Sequence, residues 1–172
     1  PFAAWCVCMI EGGTGMKNME QVYQDYYSAV FFYALSLSKN VHEAEEITSE
    51  TFYRALISSM EVKEGLRFWL FRVCKNLWLD EVRRRKRFSM AQEGSVEDEA
   101  LSKLIQKEEN YRLYGALLTL PPRYREYLYL FYFARHRIRE IAALTGETEG
   151  AVKTGLSRAR AALRKRLKEE ER

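Results

Sequence analysis

Cysteine and histidine are scarce in this chain: Cys6, Cys8 and Cys74 are its three cysteines, and His42 and His136 its two histidines, in 172 residues. Three cysteines do not make a disulfide framework. Cys6 and Cys8 form a C-x-C pair, but neither histidine is near them and no second pair completes a metal set. A reducing cytoplasm fits this usage. No apolar run reaches the roughly 18 residues needed to span a membrane. The apolar start PFAAWCVCMI lacks the basic residues that open a signal peptide. A nucleophile–base pair, a phosphate-binding loop and a metal cluster are also missing, so nothing points to an enzyme or to a cofactor.

What the chain has is charge, unevenly spread. Charged residues make up 30% of it, yet the net charge is only +4. From Arg123 to Lys168 there are 12 Lys/Arg against 4 Asp/Glu, a surplus of 8 positive charges. From Glu93 to Glu109 there are 6 acids against 2 bases, a surplus of 4 negative charges. A basic segment beside an acidic one suggests that the former meets nucleic acid.

The basic segment has a pattern. Ile138, Ile141, Ala142 and Leu144 recur at helical spacing. Gly146 follows, and glycine tolerates the left-handed conformation that closes a helix. Thr148 suits the cap of a second helix. Val152, Leu156, Ala159 and Leu163 line one face of that helix; Glu149, Lys153, Thr154, Arg158 and Arg160 line the other. Two helices about a tight glycine turn make a helix-turn-helix, whose second helix would enter a DNA major groove. A helical hairpin with a solvated basic face would give the same spacing.

The rest also reads as helix. Glu20–Ser38 carries a broad apolar face, and Lys39-Asn40 is its stop. Val41–Ser59 turns Ala44, Ile47, Phe52, Ala55 and Leu56 inward, and Glu43, Glu46, Ser49, Glu50 and Arg54 outward. Ser58–Gly65 is a short polar loop. Leu66–Arg87 begins rich in aromatics and ends in five bases, Arg83 to Arg87. Aromatics interleaved with Arg72, Lys75 and Asn76 suit single-stranded nucleic acid, although filling the core of a small bundle accounts for most of Trp69, Phe71 and Trp78. Residues 1–18 read as an extension outside the fold, with EGGTG a linker and Met16 or Met19 the expected start. Residues 89–106 read as an acidic linker, whose extended reach is about 60 Å. Leu101–Thr119 and Arg123–Ala134 read as helices, the latter started by Pro121-Pro122. The predicted fold is all-α: two small helical domains, 19–88 and 107–170, joined by that linker, the C-terminal one a helix-turn-helix.

Four segments carry a resemblance. AEEITSETFYRA, FWLFRVCKNLWLDEVRRRKR, LTLPPRYREYLYLFYF and IREIAALTGETEGAVKTGLSRARAALRKRL resemble, in order and spacing, the motifs of extracytoplasmic-function (group IV) RNA polymerase sigma factors. The resemblance covers about Met19 to Leu167. It implies a dissociable subunit of bacterial core RNA polymerase that starts transcription, with 19–88 as sigma region 2 and 107–170 as region 4. The acidic helix would bind the clamp helices of the largest polymerase subunit through Glu43, Glu46, Ser49 and Glu50, and region 4 would meet the β flap. Ser59, Lys63, Arg72, Lys75, Asn76, Asp80, Arg83 and Arg84 would bind and melt the −10 element, with one base flipped into the 58–65 loop. Thr148, Glu149, Lys153, Thr154, Arg158 and Arg160 would bind the −35 element. Promoter DNA and an anti-sigma factor are the other implied partners; no direct membrane contact is implied.

The chain departs from the family pattern in places. Gly155 stands where the family usually carries Arg or another side chain. A mid-helix glycine costs about 1 kcal/mol against alanine, so Gly155→Ala is expected to stabilise. Ser49 replaces a common Gln, and Ala134–Arg137 replaces a better capped helix entry. The second function class is a conventional helix-turn-helix regulator whose N-terminal helices bind another partner. Such a regulator has no need of an acidic helix followed by an aromatic, Asn-containing basic one.

Overall fold

A computed structural model describes residues 13–58, 65–87 and 111–169, and among these every regular element is helical. The elements are α1 (Gly13–Ser38), α2 (Val41–Ile57), α3 (Leu66–Arg87), α4 (Tyr111–Thr119), α5 (Pro122–Leu128), a π-helical turn (Tyr129–Phe133), α6 (Ile138–Thr145) and α7 (Glu149–Glu169). Residues 1–12 of the 1–18 extension, most of the 58–65 loop and the 89–106 linker lie outside the described residues.

α1 starts at Gly13, inside the stretch read as a linker. The residues that follow, Lys17 to Gln21, include good helix formers, and one added hydrogen bond per residue favours extension of an existing helix. Lys39 closes α1 in the left-handed region, at φ 57°. Asn40 then caps α2, its side-chain oxygen accepting from the Glu43 amide at 2.9 Å. α1, α2 and α3 bury Val30, Ala34, Ala44, Ile47, Phe52, Leu70, Phe71 and Cys74 against one another. Burial pushes the Cys74 thiol well up, so it packs as a small apolar group.

The second group, α4 to α7, buries Leu120, Leu128, Ile141, Leu144, Val152, Leu156 and Ala159. Pro121-Pro122 opens α5. The helix read as Arg123–Ala134 changes to a π turn at Tyr129, where the Ala134 amide donates back to Tyr129 O at 3.0 Å. That wider turn brings residues four apart into line: Tyr129 and Phe133 stack 5.3 Å apart at 11°. Tyr129 stacks on Tyr33 of α1 at 5.9 Å, and its hydroxyl donates to Ala29 O at 2.8 Å. The two helical groups therefore share one continuous apolar core.

Candidate polymerase and nucleic-acid interfaces

The outer face of α2 carries Glu45, Glu46, Ser49, Glu50, Tyr53, Arg54 and Ile57. Glu46 faces His42 at 3.5 Å and Glu50 accepts from Arg54 at 2.8 Å, both in open solvent. Such pairs contribute about 0–1 kcal/mol, leaving the carboxylates available to a partner. Glu43 is a correction. Read as outward, it is buried, and Arg85 of α3 donates to it at 2.7 Å. Burial pushes its carboxyl up, against the pull of Arg85. In the first turn of α2, the outward side is covered by the end of α3, which periodicity within α2 does not reveal. Sequence reasoning also missed Glu45, and Tyr53 and Ile57, which are 46% and 60% exposed. Their signal was present: Ser49, Tyr53 and Ile57 follow one another at i, i+4, i+8.

On α3, Arg72, Asn76, Asp80, Arg83 and Arg87 form one exposed stripe at spacings of three and four. Asp80 accepts from Arg83 at 2.8 Å, and Glu81 accepts from both Nε and Nη2 of Arg84, at 2.9 and 3.0 Å. The terminal basic run is thus partly neutralised by local acids. Arg85 is not free for phosphate: it holds Glu43 and, at 3.0 Å, Glu81. Lys75 is a second correction. It lies off the stripe, partly buried, in an ion pair with Glu126 of α5. Ser59 and Lys63 lie outside the described residues.

The helix-turn-helix forms as the spacing predicts. Gly146 is left-handed at φ 73°, and Thr148 Oγ1 accepts from the Ala151 amide at 3.2 Å. At the entry to α6, Glu140 reaches back to accept from the Arg137 amide at 2.8 Å, which supplies a cap that Arg137 itself cannot. Val152, Leu156 and Ala159 are buried, while Glu149, Lys153, Thr154, Ser157, Arg158 and Arg160 are exposed. Gly155 is the third correction. Its face does not open to solvent: a Cβ there would lie 2.2 Å from Cε2 of Tyr127. Alanine at this position forces a clash, so the propensity gain expected from the sequence is outweighed. The Tyr127 hydroxyl donates to Glu147, in the turn before α7, and accepts from Arg123 Nε at 2.8 Å.

Polar groups that the sequence left unassigned join the two helical groups. Glu126 accepts from the Tyr33 hydroxyl at 2.7 Å as well as from Lys75. Arg125 is buried and donates to three carbonyls: Ser36 at the end of α1, and Leu118 and Leu120 at 3.2 and 3.3 Å. Burial pushes its guanidinium down to about 10, with Glu126 acting the other way. His136 packs edge-on against Phe71, ring centroids 4.8 Å apart, and its Nδ1 lies 3.2 Å from Glu140.

Residues 22–88 match the family described as Sigma-70 region 2, and residues 111–163 the family described as Sigma-70, region 4. The chain belongs to the ECF RNA polymerase sigma factors. It is 31% identical to the ECF RNA polymerase sigma factor SigM of Bacillus subtilis, over 86% of this chain and 93% of that one. It is 33% identical to the RNA polymerase sigma factor SigV of the same organism, over 86% and 87% of the two chains. Its fold is that of the sigma factor RpoE of Bartonella quintana, solved in complex with the anti-sigma factor NepR: TM-score 0.68, 24% identity, 88% of this chain and 98% of that one. As a sigma factor the chain binds RNA polymerase, recognises promoter DNA and acts in transcription initiation. Among the described residues no helix is long and apolar enough to cross a membrane.

Proposed function

We propose that the three solvent faces divide the work of a sigma factor among them. Glu46, Ser49 and Glu50 of α2, with Glu45, Tyr53 and Ile57 beside them, meet the clamp helices of the largest polymerase subunit. Arg72, Asn76, Arg83 and Arg84 of α3, with Ser59 and Lys63 of the adjoining loop, bind and melt the −10 element. Thr148, Glu149, Lys153, Thr154, Arg158 and Arg160 of the helix-turn-helix bind the −35 element, and region 4 also contacts the β flap. Such a chain works in the cytoplasm as a dissociable, non-enzymatic subunit. The observation that carries this reading is that each helix backs a solvent-facing polar face, acidic on α2 and mainly basic on α3 and α7, with a buried apolar face.

Binding both elements requires the helical groups to separate. By their own coordinates −10 and −35 lie about 25 base pairs apart, roughly 85 Å along B-DNA. Here the two groups are in direct contact. An anti-sigma factor that stabilises the packed form would block initiation, and RpoE, of similar fold, is held by one.

Open-complex formation tests the −10 assignment. Asn76→Ala is expected to slow opening on a duplex promoter and to matter much less on one already mismatched at −10, where the few kcal/mol of unpairing are supplied. Equal loss on both templates would reject a role in melting.

A further inference from the structure

The contact between Tyr127 and Gly155 lies on the side of α7 away from its proposed reading face, and it is unusually close. From 2.2 Å, a Cβ at Gly155 would have to withdraw to 3.4 Å to make an ordinary contact. Tyr127 is fully buried, so its ring cannot yield by turning out into solvent. Its hydroxyl is also fixed, donating to Glu147 and accepting from Arg123, and the Arg123 guanidinium pairs with the same carboxylate. One side chain of α5 thus touches both the turn that launches α7 and the middle of α7 itself. Lys153 and Thr154 immediately precede Gly155, and Arg158 lies one turn beyond it. Hydrogen bonds to base edges hold over a window of only about 0.5 Å, from roughly 2.7 to 3.2 Å. A displacement of the size that a Cβ requires is larger than that window.

We infer that Tyr127 is a positioning residue for −35 recognition: its ring, seated on Gly155, and its hydroxyl, tied to Glu147, set where the reading face of α7 meets the bases. This rests on the assignment of α7 as the −35 reader. The pair acts as one unit, a large side chain on α5 matched to an absent one on α7. Changing one member alone moves the helix, and changing both in compensation returns it.

The test measures initiation by the full chain with core polymerase on a panel of single-base −35 variants, with thermal melting alongside. Gly155→Ala is expected to lower the ratio of preferred to substituted −35 sequences about tenfold, the order of one lost base contact. Adding Tyr127→Leu, which removes Cε2 and Cζ and leaves a rotatable methyl in place of ring Cδ2, is expected to recover most of that ratio. Tyr127→Phe keeps the ring and drops only the hydroxyl ties, so it should fold, with the preference reduced a few-fold. Glu149→Ala and Lys153→Ala serve as reference. If these two change the preference while Gly155→Ala and Tyr127→Phe weaken all sequences alike, Tyr127 is structural only and the inference fails. If the double variant melts like the parent but does not recover discrimination, it fails as well. If Glu149→Ala and Lys153→Ala leave the preference unchanged, α7 does not read the bases, and the positioning role falls with that assignment.

Discussion

Glu126 of α5 and Lys75 of α3 form an ion pair across the boundary between the two helical groups, with both side chains largely out of solvent. The hydroxyl of Tyr33, buried in α1, donates to the same carboxylate. One acid thereby fastens α5 to two helices of the first group. Glu126→Gln keeps the shape and an acceptor for Tyr33 but leaves Lys75 without a counter-charge. Breaking a buried pair from one side costs roughly 3 kcal/mol. Denaturant unfolding should show a loss of that order, and small-angle scattering should show a larger radius of gyration. Adding Lys75→Met should restore part of the stability, because the two changes share one interaction.

The glutamates of α2 separate by burial. Glu43→Ala should lower stability by about 1–2 kcal/mol, since it removes a charged acceptor from a half-exposed Arg85. Reversal of Glu46 and Glu50 to Lys should leave the melting temperature nearly unchanged and weaken binding to core polymerase. Affinity for core enzyme measured beside a thermal melt distinguishes the two. Unchanged affinity in the Glu46 and Glu50 variant would remove this face from the polymerase interface.

On α7, Glu149 sits at the helix start and Lys153 one turn on, positions suited to base edges. Arg158 and Arg160 lie farther along, and Arg160 also donates to Leu156 O at 3.3 Å. Glu149→Ala or Lys153→Ala should alter which −35 sequence is preferred, with about 1–3 kcal/mol lost at one base position. Arg158→Ala or Arg160→Ala should weaken all sequences about equally and lower the salt dependence of binding. Promoter titrations at several salt concentrations read both effects.

His136 gives the packed form a dependence on pH. Its ring is enclosed by Phe71 and Phe68 of α3, with Glu140 of α6 at Nδ1 and Arg67 of α3 beyond, 3.9 Å from that carboxylate. Burial pushes its pKa down, only partly offset by the hydrogen bond with Glu140. The unfolded chain then takes up a proton at higher pH than the folded one. The stability contributed by neutral His136 is present in full above the unfolded value of about 6.5 and is lost as pH falls from there through the folded value. Melting temperature should therefore drop between pH 7.5 and 5.5. His136→Phe, which keeps an aromatic ring against Phe71, should flatten that drop. An identical slope in the variant would assign the pH dependence to other groups.

Much of the fold was legible because helical periodicity is local. Val152, Leu156 and Ala159 repeat within one helix, so they mark its buried face and place Lys153, Thr154 and Arg158 on the other without reference to any partner. Gly146 and Thr148 mark the turn because a left-handed closure and a hydroxyl cap are properties of one or two residues.

The sequence by itself determined most of the helical segments, though not the start of α1 or the π turn, and it determined where the helix-turn-helix turns and which side of α7 stays in solvent. It could not determine what covers a second face of a helix that already has one buried. Tyr33 reaches a residue 93 positions away and Lys75 one 51 positions away, and such pairings leave no periodic mark. Glu43, Arg125 and Glu126 have the composition of surface residues, yet each is buried because another helix supplies the opposite charge or the carbonyls it needs. Gly155 looked like a weak point in α7, and only the Tyr127 ring beside it explains the missing side chain. Propensity is summed along the chain, whereas a close contact is decided between chain segments. Where the two conflict, packing prevails, because an overlap of this depth costs more than the roughly 1 kcal/mol that alanine would gain.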